Sequence, residues 1–137
     1  MSARARVFTY DVSLDTAWQA SSGNGGSDIP NEEDAWTPEH LLLAGLARCV
    51  LTSFRYHARR AGLEPRSSAS AHGVVTRRES DGRFALVEVD VAIEVQLDTV
   101  PDEIGEVISN GERDCFVGAS LTVKPSYRWT VNGEEAR

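Results

Sequence analysis

The sequence predicts an α+β domain with a mainly antiparallel sheet, a long central helix and a shorter second helix. Three observations carry this reading: a helix-length apolar segment bounded by Thr37-Pro38 and Gly62, two strand patterns meeting at Asp81-Gly82, and an element order that does not alternate strand with helix. The 137 residues fit one domain, 1–137, large enough to bury a core without metal or disulfide support.

From Arg4 to Leu14 the period is two, with Phe8, Tyr10, Val12 and Leu14 forming one apolar face, so a strand is expected there. "DTAWQASS" reads as a short returning strand, and "GNGGSDIPNEEDA" as a loop of low apolar content. Thr37 then suits an N-cap, Pro38 the first helical position, and Glu39 the positive end of the helix dipole; Gly62 supplies the stop. Between them the helix is expected over Pro38 to Ala61. Leu41, Leu42, Leu43, Leu46, Val50, Leu51 and Phe54 occupy more than one narrow stripe, which implies a helix covered on most sides of its N-terminal half.

"ASAHGVVTRRES" and "RFALVEVDVAIEVQL" read as a strand hairpin, because Asp-Gly is a strong turn signal. Phe84 and Leu86 fall out of phase with Val89, Val91, Ile93 and Val95, which predicts a bulge near Val87 and Glu88. "PDEIGEVISNGERDC" begins with helix-start chemistry and sets Ile104, Val107 and Ile108 on one face. It reads as the second helix, ending near Cys115. "LTVKPSYRWTV" is expected to close the chain as a strand.

Fourteen Lys and Arg against 21 Asp and Glu leave a net charge of −7, a balance that disfavours nucleic acid and anionic lipid as partners. No apolar run is long enough to span a bilayer or to follow Arg4 and Arg6 as a signal peptide, so a cytoplasmic location is expected. In a reducing compartment, two cysteines 66 residues apart are free thiols or a redox pair more often than a structural bridge.

Helical neighbours of Cys49 are Gly45, Leu46, Thr52 and Ser53, none of them charged, and Arg48 points about 100° away. Read from its own helix, Cys49 is a packing residue; a reactive thiolate would need an arginine or histidine from elsewhere in the fold. Cys115, beside Phe116, reads alone as an apolar helix-end residue. Together the two form the dithiol that reversible oxidation requires. His40, His57 and His72 make no zinc spacing with the cysteines, and neither G-x-S-x-G nor a phosphate loop is present, so no metal or cofactor is expected.

"TPEHLLLAGLARC" resembles the motif of the OsmC/Ohr family, in which a Pro-Glu pair opens a long helix and the peroxidatic cysteine follows the glutamate by ten residues, here Glu39 to Cys49. "CFVGASL", Cys115 to Leu121, is similar to the family's second signature ahead of the final strand, with Phe116 in place of the usual proline and Gly118-Ala119 where Ser and a longer residue are common. The resemblance implies an OsmC-like fold and an interlocked homodimer. It implies a peroxiredoxin-like hydroperoxide reductase of oxidative-stress defence, with organic hydroperoxide as substrate, Cys49 peroxidatic, Cys115 resolving and a lipoyl-type dithiol as reductant. Family members that reduce peroxides carry an arginine near the N-terminal hairpin that pairs with the helix glutamate. "SLDTAWQASSG" contains none, leaving Arg4 and Arg6 as candidate cations. Ten residues of helix put Glu39 about 15 Å from Cys49, so the two meet in one site only if they come from different chains. The alternative is an OsmC-like dimer without peroxidase activity that binds a small hydrophobic ligand, with Tyr10, Phe54, Tyr56 and Phe116 as candidate lining residues.

Overall fold

The structure, a computed structural model, describes residues 5–28 and 36–136. They fall into two compact units, Met1–Thr37 and Pro38–Arg137.

The first unit is a three-stranded antiparallel meander of β1 (Val12–Leu14), β2 (Gln19–Ser22) and β3 (Gly25–Asp28). Asp15 shapes the first turn: its Oδ1 accepts the amides of Ala17 and Gln19 at 2.8 and 2.9 Å, and Trp18 takes a positive φ of 61°. β1 is much shorter than the strand expected over Arg4 to Leu14, because β2 offers it three partners only, Ser22, Ser21 and Ala20. Residues 5–11 have the alternating pattern but no neighbouring strand among the described residues of the unit. β3 arises in the segment expected to be loop. Pairing of Ser22 with Gly25 through Gln19 with Asp28 needs backbone groups and not apolar side chains, so the low apolar content concealed it.

The second unit opens with α1 (Pro38–Arg60), followed by β4 (Arg66–Arg77), β5 (Phe84–Gln96), α2 (Ile104–Arg113), α3 (Phe116–Ser120), β6 (Ser126–Val131) and β7 (Glu134–Glu135). Gly62, at φ 80°, ends α1: its amide donates to the Arg59 carbonyl at 3.0 Å and that of Leu63 to the Ala58 carbonyl at 2.9 Å, the paired bonds of a Schellman cap. At the tip of the β4–β5 hairpin the Asp81 carboxylate accepts from the Arg83 amide and the Arg78 guanidinium, while Gly82 takes φ 70°. The register steps from Val74 opposite Glu88 to Val75 opposite Leu86, so Val87 is the bulged residue at the expected place.

The sheet order is β4-β5-β6-β7, and it is mixed where a mainly antiparallel sheet was expected. β6 pairs with β5 in parallel, Asp90 opposite Ser126 through Val95 opposite Val131. The reason is topological: β4 holds one side of β5, and the chain crosses back through α2 and α3 before starting β6 on the other side. Asn132, at φ 51°, and Gly133, at φ 83°, then turn the chain into β7, the Asn-Gly hairpin signal.

Leu46, Val50, Phe54 and Ala58, four residues apart on α1, pack with Val89, Val91, Ile93 and Val95 of β5, Val107 and Ile108 of α2, and Trp129 of β6. The Phe54 and Trp129 rings lie 5.0 Å apart. Gly111 lets α2 approach α1 closely, since a Cβ there would stand 3.2 Å from the Phe54 Cα. Within one chain the coverage of α1 is one-sided: Leu41 and Leu42 are 37% and 38% exposed. The stripe spaced by four is what this unit's sheet and second helix can reach.

Candidate active site

The break between α2 and α3 builds the site. Asp114 closes α2, and Cys115 takes an extended backbone (φ −77°, ψ 100°) before α3 begins at Phe116. Cys115 therefore precedes a helix of five residues instead of ending the second helix as expected. This turn buries it completely, while Cys49, midway along α1, is half-buried beside it. The two thiols lie close enough to influence each other. The Val117 amide, in the first turn of α3, donates to the Cys49 sulfur at 3.5 Å.

Burial pushes the Cys115 thiol up, the largest influence on it; the Gly118 amide and the Tyr127 hydroxyl oppose that by favouring the anion, and proximity to Cys49 adds to the rise. Tyr127, on β6 opposite Val91, is itself pushed up, first by burial and then by its bond to Cys115. Among the described residues, no arginine, lysine or histidine contributes to the ionisation of either group.

Around this pair, side-chain bonds tie the α2–α3 junction to its neighbours. His57 Nε2 and Asp114 Oδ2 lie 2.7 Å apart, linking α1 to the residue before Cys115. Arg113, followed by His57, holds the Asp114 carboxyl below the usual carboxylate range. The Trp129 indole N–H donates to Glu112 at 2.7 Å, which joins α2 to β6.

Of the residues expected to act together, Cys49 and Cys115 meet. Glu39 stands exposed in the first turn of α1, in a shallow depression of about 280 Å³ with Pro38, Leu42, Val75, Phe84, Ala85 and Leu86. Arg6 belongs to the first unit, its guanidinium 5.2 Å from the Phe8 ring centroid, and Arg4 lies outside the described residues. Within the second unit the candidate lining residues Phe54, Tyr56 and Phe116 lie in different surroundings. Phe54 is core, Tyr56 lies with Arg55, Arg59 and Arg60 in an open depression, Phe116 is exposed, and Tyr10 is in the first unit. Among the described residues no cluster of His, Cys, Asp or Glu is arranged to hold a metal ion, and no helix is long and apolar enough to cross a membrane.

Sequence reasoning missed Tyr127 and the Val117 amide. Val117 is two residues beyond Cys115, so the helix start that aims its amide was hidden in the "CFVGASL" segment. Tyr127 reaches the thiol only through the parallel β5–β6 pairing, for which no local signal exists.

A family model described as OsmC-like protein matches residues 31–131. Comparison with curated proteins finds no match. Among solved structures, an OsmC-like protein from Mycoplasma pneumoniae is similar with a TM-score of 0.71 at 21% identity, over 93% of this chain and 99% of that one. An organic hydroperoxide resistance protein from Elizabethkingia anophelis gives 0.67 at 18% identity, over 94% and 100% of the two chains. The organic hydroperoxide resistance protein OhrB of Bacillus subtilis gives 0.59 at 22%, over 90% and 98%. At these identities the likeness is one of fold.

Proposed function

The chain belongs to the OsmC/Ohr family, and from that premise we propose that it reduces organic hydroperoxides through the thiols of Cys49 and Cys115. The observation that carries the reading is the contact of these two side chains, with the Val117 amide directed at the half-buried Cys49. Cys49, as thiolate, attacks a peroxide oxygen; the O–O bond breaks, alcohol leaves, and the sulfur becomes a sulfenic acid. Cys115 then attacks that sulfur, the S–O bond breaks, water leaves with the thiol proton, and a disulfide forms. A dithiol reductant, lipoyl-type or similar, restores both thiols and is itself oxidised. Hydroperoxide resistance in the names of the similar proteins from Bacillus subtilis and Elizabethkingia anophelis supports this chemistry.

The working unit in this proposal is an interlocked homodimer of single 1–137 domains, acting in the cytoplasm against oxidative stress. Exposed Leu41, Leu42, Val75 and Phe84 support association. A second chain also supplies what one chain lacks beside Cys49, a Glu39 and an arginine, Arg4 or Arg6 being the candidates.

Titration of free thiols after organic hydroperoxide tests the reading. Wild type should lose both thiols and recover them with a dithiol, whereas Cys49→Ser should keep Cys115 titratable. Wild type that keeps both thiols in excess peroxide would falsify the peroxidase. That result would leave the second reading, a dimer binding a small hydrophobic ligand. Its favouring observation is that no cation contributes to the ionisation of Cys115 or Tyr127 among the described residues.

A further inference from the structure

Gly118 lies where three elements converge. A Cβ built on it would overlap the Tyr127 hydroxyl and stand 3.4 Å from the Cys115 sulfur and 3.5 Å from Leu46. Its φ is not in the left-handed region, so backbone conformation does not demand glycine here. What demands it is the hydroxyl, which occupies the space a side chain would fill, on the same side of Gly118 as the Cys115 sulfur. Tyr127 is half-buried, and the parallel pairing of β6 with β5 sets its backbone opposite Val91.

We propose that Tyr127 is the positioning hydrogen-bond donor of the resolving thiol, its hydroxyl reaching the Cys115 sulfur through the slot that Gly118 leaves open. This rests on the peroxidase reading for its role in turnover. Burial makes the Cys115 thiolate costly to form, and a phenol O–H donated to the sulfur offsets part of that cost at the step where Cys115 attacks the Cys49 sulfenic acid. Tyr127 keeps its proton throughout; the proton lost by Cys115 leaves with the departing hydroxide as water. The titratable groups facing Cys115 are Cys49 from α1 and Tyr127 from β6, with the Glu112 carboxylate of α2 acting on Tyr127. Cys115, Glu112 and Cys49 all resist ionisation of Tyr127, which keeps it a donor.

The test is a pH titration of ultraviolet thiolate absorbance in the Cys49→Ser protein, with Cys49→Ser/Cys115→Ser subtracted, carried out with and without Tyr127→Phe. Loss of the donor should move the Cys115 midpoint up by roughly one pH unit. In the otherwise wild-type protein, Tyr127→Phe should slow passage from sulfenic acid to disulfide about tenfold and leave the first attack on peroxide unchanged. Adding Gly118→Ser to Tyr127→Phe places a hydroxyl in the vacated slot and should restore much of both effects, which a general loss of packing would not allow. An unchanged midpoint in Tyr127→Phe overturns the hydrogen bond whatever the peroxide assay gives. A shifted midpoint in a wild-type protein inert to peroxide overturns the role in resolution and traces the failure to the peroxidase reading.

Discussion

Along α1, Leu46, Val50, Phe54 and Ala58 are fully covered, while Leu41, Leu42 and Tyr56 on its other sides stay exposed. Both sets are apolar or aromatic, and they sit on the same helix. The covered set repeats every four residues and meets a sheet face and a second helix of its own unit. The exposed set exceeds what one amphipathic stripe needs. Exposed apolar surface of this kind suits association, so the inner face reports the fold of the chain and the outer face is the one the proposed dimer would cover.

The sharpest way to break the inner face is Phe54→Ala, which removes a ring packed at a tilt against Trp129 at the crossing of α1 and α2. It should cost about 3–5 kcal/mol, read as a fall in denaturant midpoint. A cost below about 1 kcal/mol would mean that the inner stripe does not organise the core. Leu42→Asp probes the outer face. It should leave the secondary structure unchanged and weaken self-association by about tenfold or more, equivalent to about 1.4 kcal/mol, as measured by sedimentation over a concentration series. An unaltered sedimentation profile would remove this face from the proposed dimer interface.

The smallest effect concerns the end of α1, where His57 meets Asp114. The Asp114 carboxyl is held below its usual range by Arg113 and then His57, so its contribution to stability is present above the unfolded carboxylate value and is lost as pH falls through the lowered folded value. Asp114→Asn should therefore be less stable than wild type at neutral pH and indistinguishable from it in strong acid. Acid unfolding curves that stay parallel over the whole range would show that this contact contributes no proton-linked stability.

How much of this was legible depends on the range of the interactions involved. Pro38 and Gly62 bounded α1 within a residue because capping is local chemistry, and Asp81-Gly82 and the phase change at Val87 marked the hairpin and its bulge for the same reason. The Asn132-Gly133 turn carried an equally local signal that the reading passed over. The parallel placement of β6 was not legible: its apolar pattern is the same whichever direction it runs. For the site, the two cysteines could be named from motif spacing, but their contact, the Val117 amide and the Tyr127 hydroxyl depend on where the crossover returns. For α1, periodicity counts apolar positions without saying which molecule covers them.

The crossover from Leu97 to Pro125 has a temporal consequence as well. The β4–β5 hairpin closes over a short turn, whereas β6 can join β5 only after α2 and α3 have folded back across the sheet. Such non-local closure comes late because its entropic cost precedes its contacts. Cys115 travels on that crossover and Cys49 on the helix that awaits it. Their meeting therefore reports closure of the crossover: the two thiols form one centre once α2 and α3 have packed back on α1.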